Sequence, residues 1–299
     1  MKHLLAAAAM AAAAGLIAAA AGAAESGSAA ADSGNGASSS KALFEVGVAG
    51  GVGWIPDYPA AAQNHVQGLA LPYVIYRGQV LQSDETGIRG KLYRSRVIEF
   101  DLSLGGALRA SSRDNRAREG MPDLDYLGEI GPSVRIHAYR DPDAGSVDIE
   151  LPVRSAFSTD FSRIDYRGFV FAPELSYTLS NIGFQDSRWK TSIGPIFATS
   201  RLMDYFYQVD APFVRADRPA FDAHGGYLGS RLQSSYRVPI TGRLSVFAAG
   251  RVETFAGATN HDSPLFKRDV NFSIGAGLTF SLYRSDARSD VPVDTVDFP

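Results

Sequence analysis

No cysteine occurs among the 299 residues. Its absence excludes a disulfide framework, a thiolate metal centre and a lipid anchor on an amino-terminal cysteine. Beyond residue 21 no apolar run reaches the ~20 residues that a membrane-spanning helix requires, so a helical membrane protein is excluded. Basic charge is not in excess, with 29 Lys and Arg against 32 Asp and Glu. Nucleic-acid binding needs a clustered basic surface, and nucleic acid is therefore excluded as a partner. There is no H-E-x-x-H and no repeated carboxylate loop. The histidines (His3, His65, His137, His224 and His261) are isolated, so neither a metal nor another cofactor is expected. Glycine is frequent but scattered, and no phosphate-binding loop forms. Gly47, Gly51, Gly53, Gly105, Gly131, Gly275 and Gly277 fall mostly on one face of strands, where they give clearance and curvature.

The chain opens with Met1-Lys2-His3, followed by an apolar, alanine-rich stretch from Leu4 to about Ala21. With small residues at Ala21-Gly22-Ala23-Ala24, this reads as a secretory signal over residues 1–24. Residues 25–41 lack large apolar side chains and read as a flexible leader. The folded part is expected over 42–283, followed by a periplasmic tail over 284–299.

From Ala42 onward the pattern has period two, which is the mark of strands with two unlike faces. Near the end Val270, Phe272, Ile274, Ala276, Leu278, Phe280 and Leu282 share one face, and Asn271, Ser273, Gly275, Gly277, Thr279 and Ser281 share the other. Phe100, Leu102 and Leu104 likewise oppose Glu99, Asp101 and Ser103, and Ile149, Leu151 and Val153 oppose Asp148, Glu150 and Arg154. Val246, Ala248 and Val252 oppose Ser245, Arg251 and Glu253. A soluble sandwich and a membrane barrel share this alternation. Strand length separates them: many of these strands run to roughly 11–15 residues, whereas soluble strands average about 5–6 and membrane strands need about 9–11.

Strands are expected near 43–54, 70–77, 79–84, 87–93, 96–110, 124–140, 145–158, 166–180, 188–201, 223–237, 243–255 and 269–283. Short turns near Arg77-Gly78, Arg94-Ser95, Asp141–Ala144, Asn181–Ser187 and Pro239–Gly242 alternate with longer links at 55–69, 111–123, 159–165, 202–222 and 256–268. Short periplasmic turns alternating with long outer loops are the outer-membrane pattern. The fold expected is all-β: a closed antiparallel transmembrane barrel of about twelve strands, or ten if the short third and fourth strands are not counted. Trp54 and Tyr73 beside the first outer loop, Tyr126 and Tyr139 around one strand, and Tyr236 and Tyr283 at periplasmic ends suit a headgroup-level aromatic girdle or ordinary packing.

On the lumen face the alternation places Glu99, Asp101, Glu129, Arg135, Asp148, Glu150, Arg154, Glu174, Lys190, Arg231, Arg251 and Glu253. Mixed signs argue against strong ion selectivity. A structural network of ion pairs across the lumen is favoured over a selective pore. A catalytic reading would have to join His65 or His261 to a nucleophile such as Ser263. Adjacency along one loop does not supply that geometry, and Asp262-Ser263-Pro264 reads as a turn.

Several longer motifs have a family likeness. Val48-Ala49-Gly50-Gly51-Val52-Gly53-Trp54-Ile55-Pro56-Asp57-Tyr58-Pro59 followed by Leu71-Pro72-Tyr73-Val74-Ile75-Tyr76-Arg77 resembles the opening of the MltA-interacting protein (MipA/OmpV) family. Asp204-Tyr205-Phe206-Tyr207, Gly226-Tyr227-Leu228-Gly229-Ser230-Arg231-Leu232 and Asp262-Ser263-Pro264-Leu265-Phe266-Lys267 extend the resemblance from Phe44 to Tyr283. It implies an outer-membrane barrel, in contact with lipid, that brings a periplasmic murein hydrolase and a murein synthase together without being an enzyme. Other members are described as porin-like, so a narrow channel for small polar solutes is the alternative, and an outer-membrane hydrolase is a third. The departure from the common barrel pattern is the tail: the final strand does not end the chain but is followed by residues 284–299.

Overall fold

The computed structural model describes residues 42–77, 81–84, 87–90, 97–141 and 144–287; the expected signal and leader, and the turns at Gly78 and at Arg94-Ser95, lie outside them. The strands are β1 (Phe44–Pro56), β2 (Asn64–Arg77), β3 (Leu81–Asp84), β4 (Gly87–Gly90), β5 (Ile98–Ala107), β6 (Tyr126–Asp141), β7 (Gly145–Thr159), β8 (Ile164–Phe171), β9 (Glu174–Ser180), β10 (Arg188–Ala198), β11 (Gly226–Pro239), β12 (Leu244–Thr254) and β13 (Val270–Arg284). One helix, α1 (Ser200–Tyr207), and a 3-10 turn at Ala211–Phe213 lie between β10 and β11. All strands join one antiparallel sheet in which the first and last pair, from Glu45↔Arg284 to Trp54↔Ile274.

β8 and β9 are two halves of one stave, both paired to β7 and to β10, so thirteen segments make the twelve staves expected from the alternation. The break falls at Ala172-Pro173. Pro132, Pro152 and Pro195 stand inside β6, β7 and β10, so four consecutive staves each carry a proline that cannot donate to the ladder. The carbonyls of Val153 and Pro173 lie hard against the neighbouring staves, where only glycine fits. A Cβ would sit 2.0 Å from the first at Gly131 and 1.9 Å from the second at Gly194. The ends of the sheet path, β4 and β5, lie side by side with Cα atoms within 8 Å, and no ladder joins them among the described residues.

The faces are those of an inverted protein. Along β13 the outward Phe272 is 55% exposed and its neighbour Asn271 only 1%. Val48, Val52, Ile193, Ile274, Leu278 and Leu282 are exposed, whereas Glu45, Ser176, Ser192, Ser245, Ser273, Thr279 and Ser281 are buried. A water-soluble sheet sets the opposite preference. Phe247 is an inward exception. Its ring fills space beside Gly51 and Gly277, 3.4 and 2.4 Å from where their Cβ atoms would be.

Two expectations need correction. β2 starts at Asn64, not near 70, which shortens the expected 55–69 loop to 57–63. Gly68 and Ala70 thin out the outward, apolar half of the pattern there, although the ladder to β1 runs through to Pro56↔Asn64. Tyr73 therefore lies well inside the strand and faces the lumen, donating to Glu45 Oε1 at 3.1 Å, and does not belong to a girdle beside the first loop.

Gly194→Ala should cost about 1–3 kcal/mol, the usual range for forcing atoms into a packed site. Gly242→Ala, with nothing within 4 Å, should stay within about 0.5 kcal/mol. Denaturant unfolding followed by emission of the two tryptophans checks both, and equal losses would contradict the close approach at Pro173.

Candidate functional site

The interior has a polar lower layer and an apolar upper one. In the polar layer most partners face each other directly on the ladder. Arg135 is opposite both Glu99 and Glu150, His137 opposite Asp148, Arg231 opposite Glu253 and Gln233 opposite Arg251. The resulting contacts are Arg135–Glu150 at 3.3 Å, His137–Asp148 at 2.6 Å, Arg231–Glu253 at 2.8 Å and Arg251 Nη2 to Gln233 Oε1 at 3.3 Å. Glu99 reaches His137 at 3.4 Å. Glu129 accepts from Arg154 Nε at 2.9 Å, and Arg154 also reaches Ser103 Oγ over the intervening stave at 3.3 Å. Lys190 bridges Glu150 at 3.2 Å and Glu174 at 3.8 Å. Asp101 belongs to β5 by its backbone, but its side chain lies outside the described residues.

These pairs lie along the wall, joining adjacent or next-but-one staves. Among the described residues, the expected ion-pair network runs along the wall from stave to stave. The reason is the register: oppositely charged residues already sit opposite each other on neighbouring strands, within the reach of one side chain. Buried charges then keep a partner without crossing the bore.

The mouth at the loop end is closed by another device. Loops 57–63, 108–125, 199–225 and 255–269 fold together into a cap. Within it α1 buries Leu202, Met203, Phe206 and Tyr207, spaced so that they share one helical face. They pack with Tyr58, Val209 and Leu265 and with the upper inward residues of the staves, among them Leu127, Val170, Ile196 and Leu228. An apolar cluster thus packs against the loop-end side chains of the sheet.

Polar contacts knit the cap. The Tyr58 hydroxyl donates to the Leu265 carbonyl at 2.8 Å, and the Tyr207 hydroxyl donates to the Pro59 carbonyl at 3.0 Å. Ser263 Oγ donates to the Tyr207 carbonyl at 2.9 Å and accepts from the Leu265 amide at 3.2 Å. The buried Asp57 carboxylate is held by Asn115 Nδ2 at 2.7 Å and His65 Nδ1 at 2.6 Å. Arg118 donates to the Phe206 carbonyl at 3.1 Å and lies over the Tyr58 ring. Arg218 donates to the carbonyls of Ala117 and Glu119 at 2.9 and 3.1 Å.

The motif residues singled out in the sequence thus meet at one place. Asp57, Tyr58, Pro59 and Ser263 are in the knot, and the Lys267 amide donates to the Ala60 carbonyl at 2.9 Å. Tyr205 flanks the knot, donating to the Asp125 carbonyl at 3.1 Å beneath the Arg167 guanidinium. Pro264 is half-buried beside Ser263, and Asp204 is exposed. Asn115, Arg118 and Arg218 carry no signal in the sequence reading, and Tyr207 enters it only within a family motif. The helical spacing of Leu202, Met203, Phe206 and Tyr207 could have signalled α1, whereas the charged run Arg113–Glu119 carries no pattern that reveals two buried members.

Among the described residues, His261 and Ser263 do not form the pair that the catalytic reading needs. The Ser263 hydroxyl is occupied by backbone partners, and His261 is half-exposed, against the Phe266 ring and 3.1 Å from Asp269. Among the described residues no group of three or more His, Asp or Glu could hold a metal ion.

A family model described as MltA-interacting protein MipA matches residues 48–282. Among solved structures, one described as a bacterial polysaccharide outer membrane secretin is 11% identical, with a TM-score of 0.37, covering 81% of this chain and 99% of its own. That likeness is too slight to bear on the fold. Comparison with curated proteins gives no match.

The cap tyrosines make its stability sensitive to alkali. Burial pushes the Tyr58 and Tyr207 hydroxyls well above the ordinary tyrosine value and takes Tyr205 to about 12. The folded cap thus keeps protons that the unfolded chain releases from about pH 10. The stabilisation is complete below that pH and is lost as pH rises toward 12. Tyrosinate absorbance should therefore show the cap tyrosines ionising late and in one step with unfolding. Smooth titration of all 13 tyrosines near the ordinary value would contradict their burial.

Proposed function

The chain belongs to the MltA-interacting protein (MipA) family, and from that premise we propose a closed, capped outer-membrane β-barrel that gathers murein enzymes and neither catalyses nor conducts. The membrane setting rests on one observation, the inversion of faces: an apolar belt turned outward around buried, paired charges. In hydrocarbon every backbone polar group needs an internal partner, which favours closure of the remaining seam between β4 and β5. The even number of staves puts the start of β1 and the end of β13 at the rim with the short turns 181–187 and 240–243. We assign that rim to the periplasm and the cap to the cell exterior.

The family name points to the murein hydrolase MltA as the partner, and a murein synthase could be held alongside it. A surface for them would be the short turns together with the leader 25–41 and the tail. The strand continues through Arg284, which is 3.3 Å from Glu45, and Ser285 Oγ accepts from the Phe44 amide at 3.0 Å, so the segment we offer to a partner is 288–299, outside the described residues. Against a channel stands the cap, which fills the mouth with apolar side chains.

Leu278→Arg, at the middle of the outward face of β13, should cost about 2–4 kcal/mol in a bilayer. Val214→Arg, at a cap position that is also exposed, should be close to neutral. Equal effects in vesicle-reconstituted protein would remove the membrane assignment.

Deleting 288–299 should weaken capture of a purified MltA-type hydrolase while leaving the unfolding midpoint unchanged. In planar bilayers the intact barrel should pass little current. Large, steady currents with no hydrolase retained by either form would make it a channel for small polar solutes.

A further inference from the structure

At the rim opposite the cap two large apolar side chains stand exposed on short turns. Phe184, in the turn 181–187 between β9 and β10, is 61% exposed, and Ile240, in the turn 240–243 between β11 and β12, is 55% exposed. The two turns are two strand spacings apart, about 10 Å. The first turn is tightly built. Asn181, Gly183 and Asp186 take left-handed backbone, with φ of 60°, 75° and 57°, and their residue types accept it most readily. The Asn181 amide donates to the Ser187 carbonyl at 2.8 Å, and Asn181 Oδ1 accepts from the Asp186 amide at 2.8 Å. The Ser187 amide donates to the Phe184 carbonyl at 3.2 Å, and Ser187 Oγ donates to the Ile182 carbonyl at 2.9 Å. That carbonyl also accepts from the Tyr236 hydroxyl of β11. The backbone is thus fixed on both sides of Phe184, and the ring is left exposed.

A lipid interface gives no reason for a fixed tip. Trp189 and Tyr236 are the outward aromatics at this end, opposite each other on the β10–β11 ladder. Phe184 lies past them, between the exposed Gly183 and Gln185. A fluid headgroup layer accepts an aromatic ring in many orientations. A protein pocket rewards one, because a side chain already held in place loses less freedom on binding. Charge extends the patch. Arg188, the first residue of β10, stands directly opposite Arg237 of β11, and like charges so placed repel. Arg237 donates to Ser245 Oγ at 2.7 Å. The half-buried Arg188 makes no side-chain hydrogen bond or ion pair among the described residues, and neither does Arg243, exposed in the second turn. Asp186 supplies one carboxylate in the first turn.

Resting on the scaffold reading above, we propose that the murein hydrolase docks on this rim through the turns 181–187 and 240–243. Phe184 and Ile240 enter an apolar cleft of the partner, and carboxylates at the edge of that cleft meet Arg188 and Arg243. An aromatic anchor inside a polar, charged border is the composition that gives a protein interface its affinity. A carboxylate brought to Arg188 also offsets its repulsion from Arg237.

The test uses the full chain in detergent and a purified MltA-type hydrolase, with binding read by interferometry. Flotation with phosphatidylcholine vesicles reads lipid contact separately. Phe184→Asp should weaken hydrolase binding about tenfold, the loss expected for one well-placed anchor, and Phe184→Trp should keep it. Arg188→Gln and Arg243→Gln should each weaken it and flatten its dependence on salt. Val214→Asp, at an exposed position in the cap, should bind as the wild type does. Equal binding by the wild type and the Phe184, Arg188 and Arg243 variants would overturn the proposal and leave the scaffold reading standing. No binding by the wild type would remove both. Loss of flotation in Phe184→Asp with hydrolase binding intact would assign the tip to lipid and overturn the proposal as well.

Discussion

A slip of one residue in the ladder would carry Arg135, Glu150, Arg231 and Glu253 outward and bring Phe272, Ile274 and Leu278 in. Register is therefore the constraint from which the rest follows. It is set by both faces at once, since apolar residues are excluded from the paired interior as firmly as charges are from the belt. Opposed pairs such as Arg231–Glu253, at 2.8 Å, add a side-chain contact between the same two strands that the backbone already joins. Their role is local, stitching one stave to the next.

The described charge pairs stitch neighbouring staves along the wall. Closure is assigned to the cap, whose apolar core meets the upper inward side chains of β6, β8, β10 and β11. Two kinds of chemistry are thereby separated along the axis. Polar pairing holds the wall together from His137–Asp148 toward the short turns up to Arg231–Glu253 toward the loops, and apolar packing with carbonyl-directed hydrogen bonds gathers the loop end. The row of prolines across β6, β7, the β8–β9 break and β10 interrupts the regular ladder between neighbours. Gly131 and Gly194 make room for the carbonyls that the interruption leaves protruding.

The staves were legible because a strand writes its two faces into every second residue. Val270 to Leu282 shows this without interruption, and even the broken stave at Pro173 kept its alternation on both sides. β2 was harder, since small Gly68 and Ala70 dilute the outward, apolar half of the pattern. The lumen charges could be placed on a face from sequence, but their partners could not, because pairing depends on register between strands far apart in the chain. The cap was hidden for a related reason. Asp57, Tyr58, Pro59 and Ser263 stood out as motif residues, yet nothing periodic ties them together. Their contacts cross between loops, and the buried Arg118 and Arg218 look in sequence like any solvated loop cations.

Tyr58 and Leu265, joined at 2.8 Å, are 207 residues apart, and Asn271, which holds the Ala61 carbonyl, is 210 residues from it. Such contacts cannot form early, because the first and last strands must meet before the two loops share a neighbourhood. The cap is thus a record of finished assembly. A barrel whose final hairpin has not yet docked on β1 keeps its first loop untethered and its mouth unsealed, so the surface seen from the loop side differs between complete and incomplete molecules. Quality control that inspects only that rim could tell them apart without probing the wall.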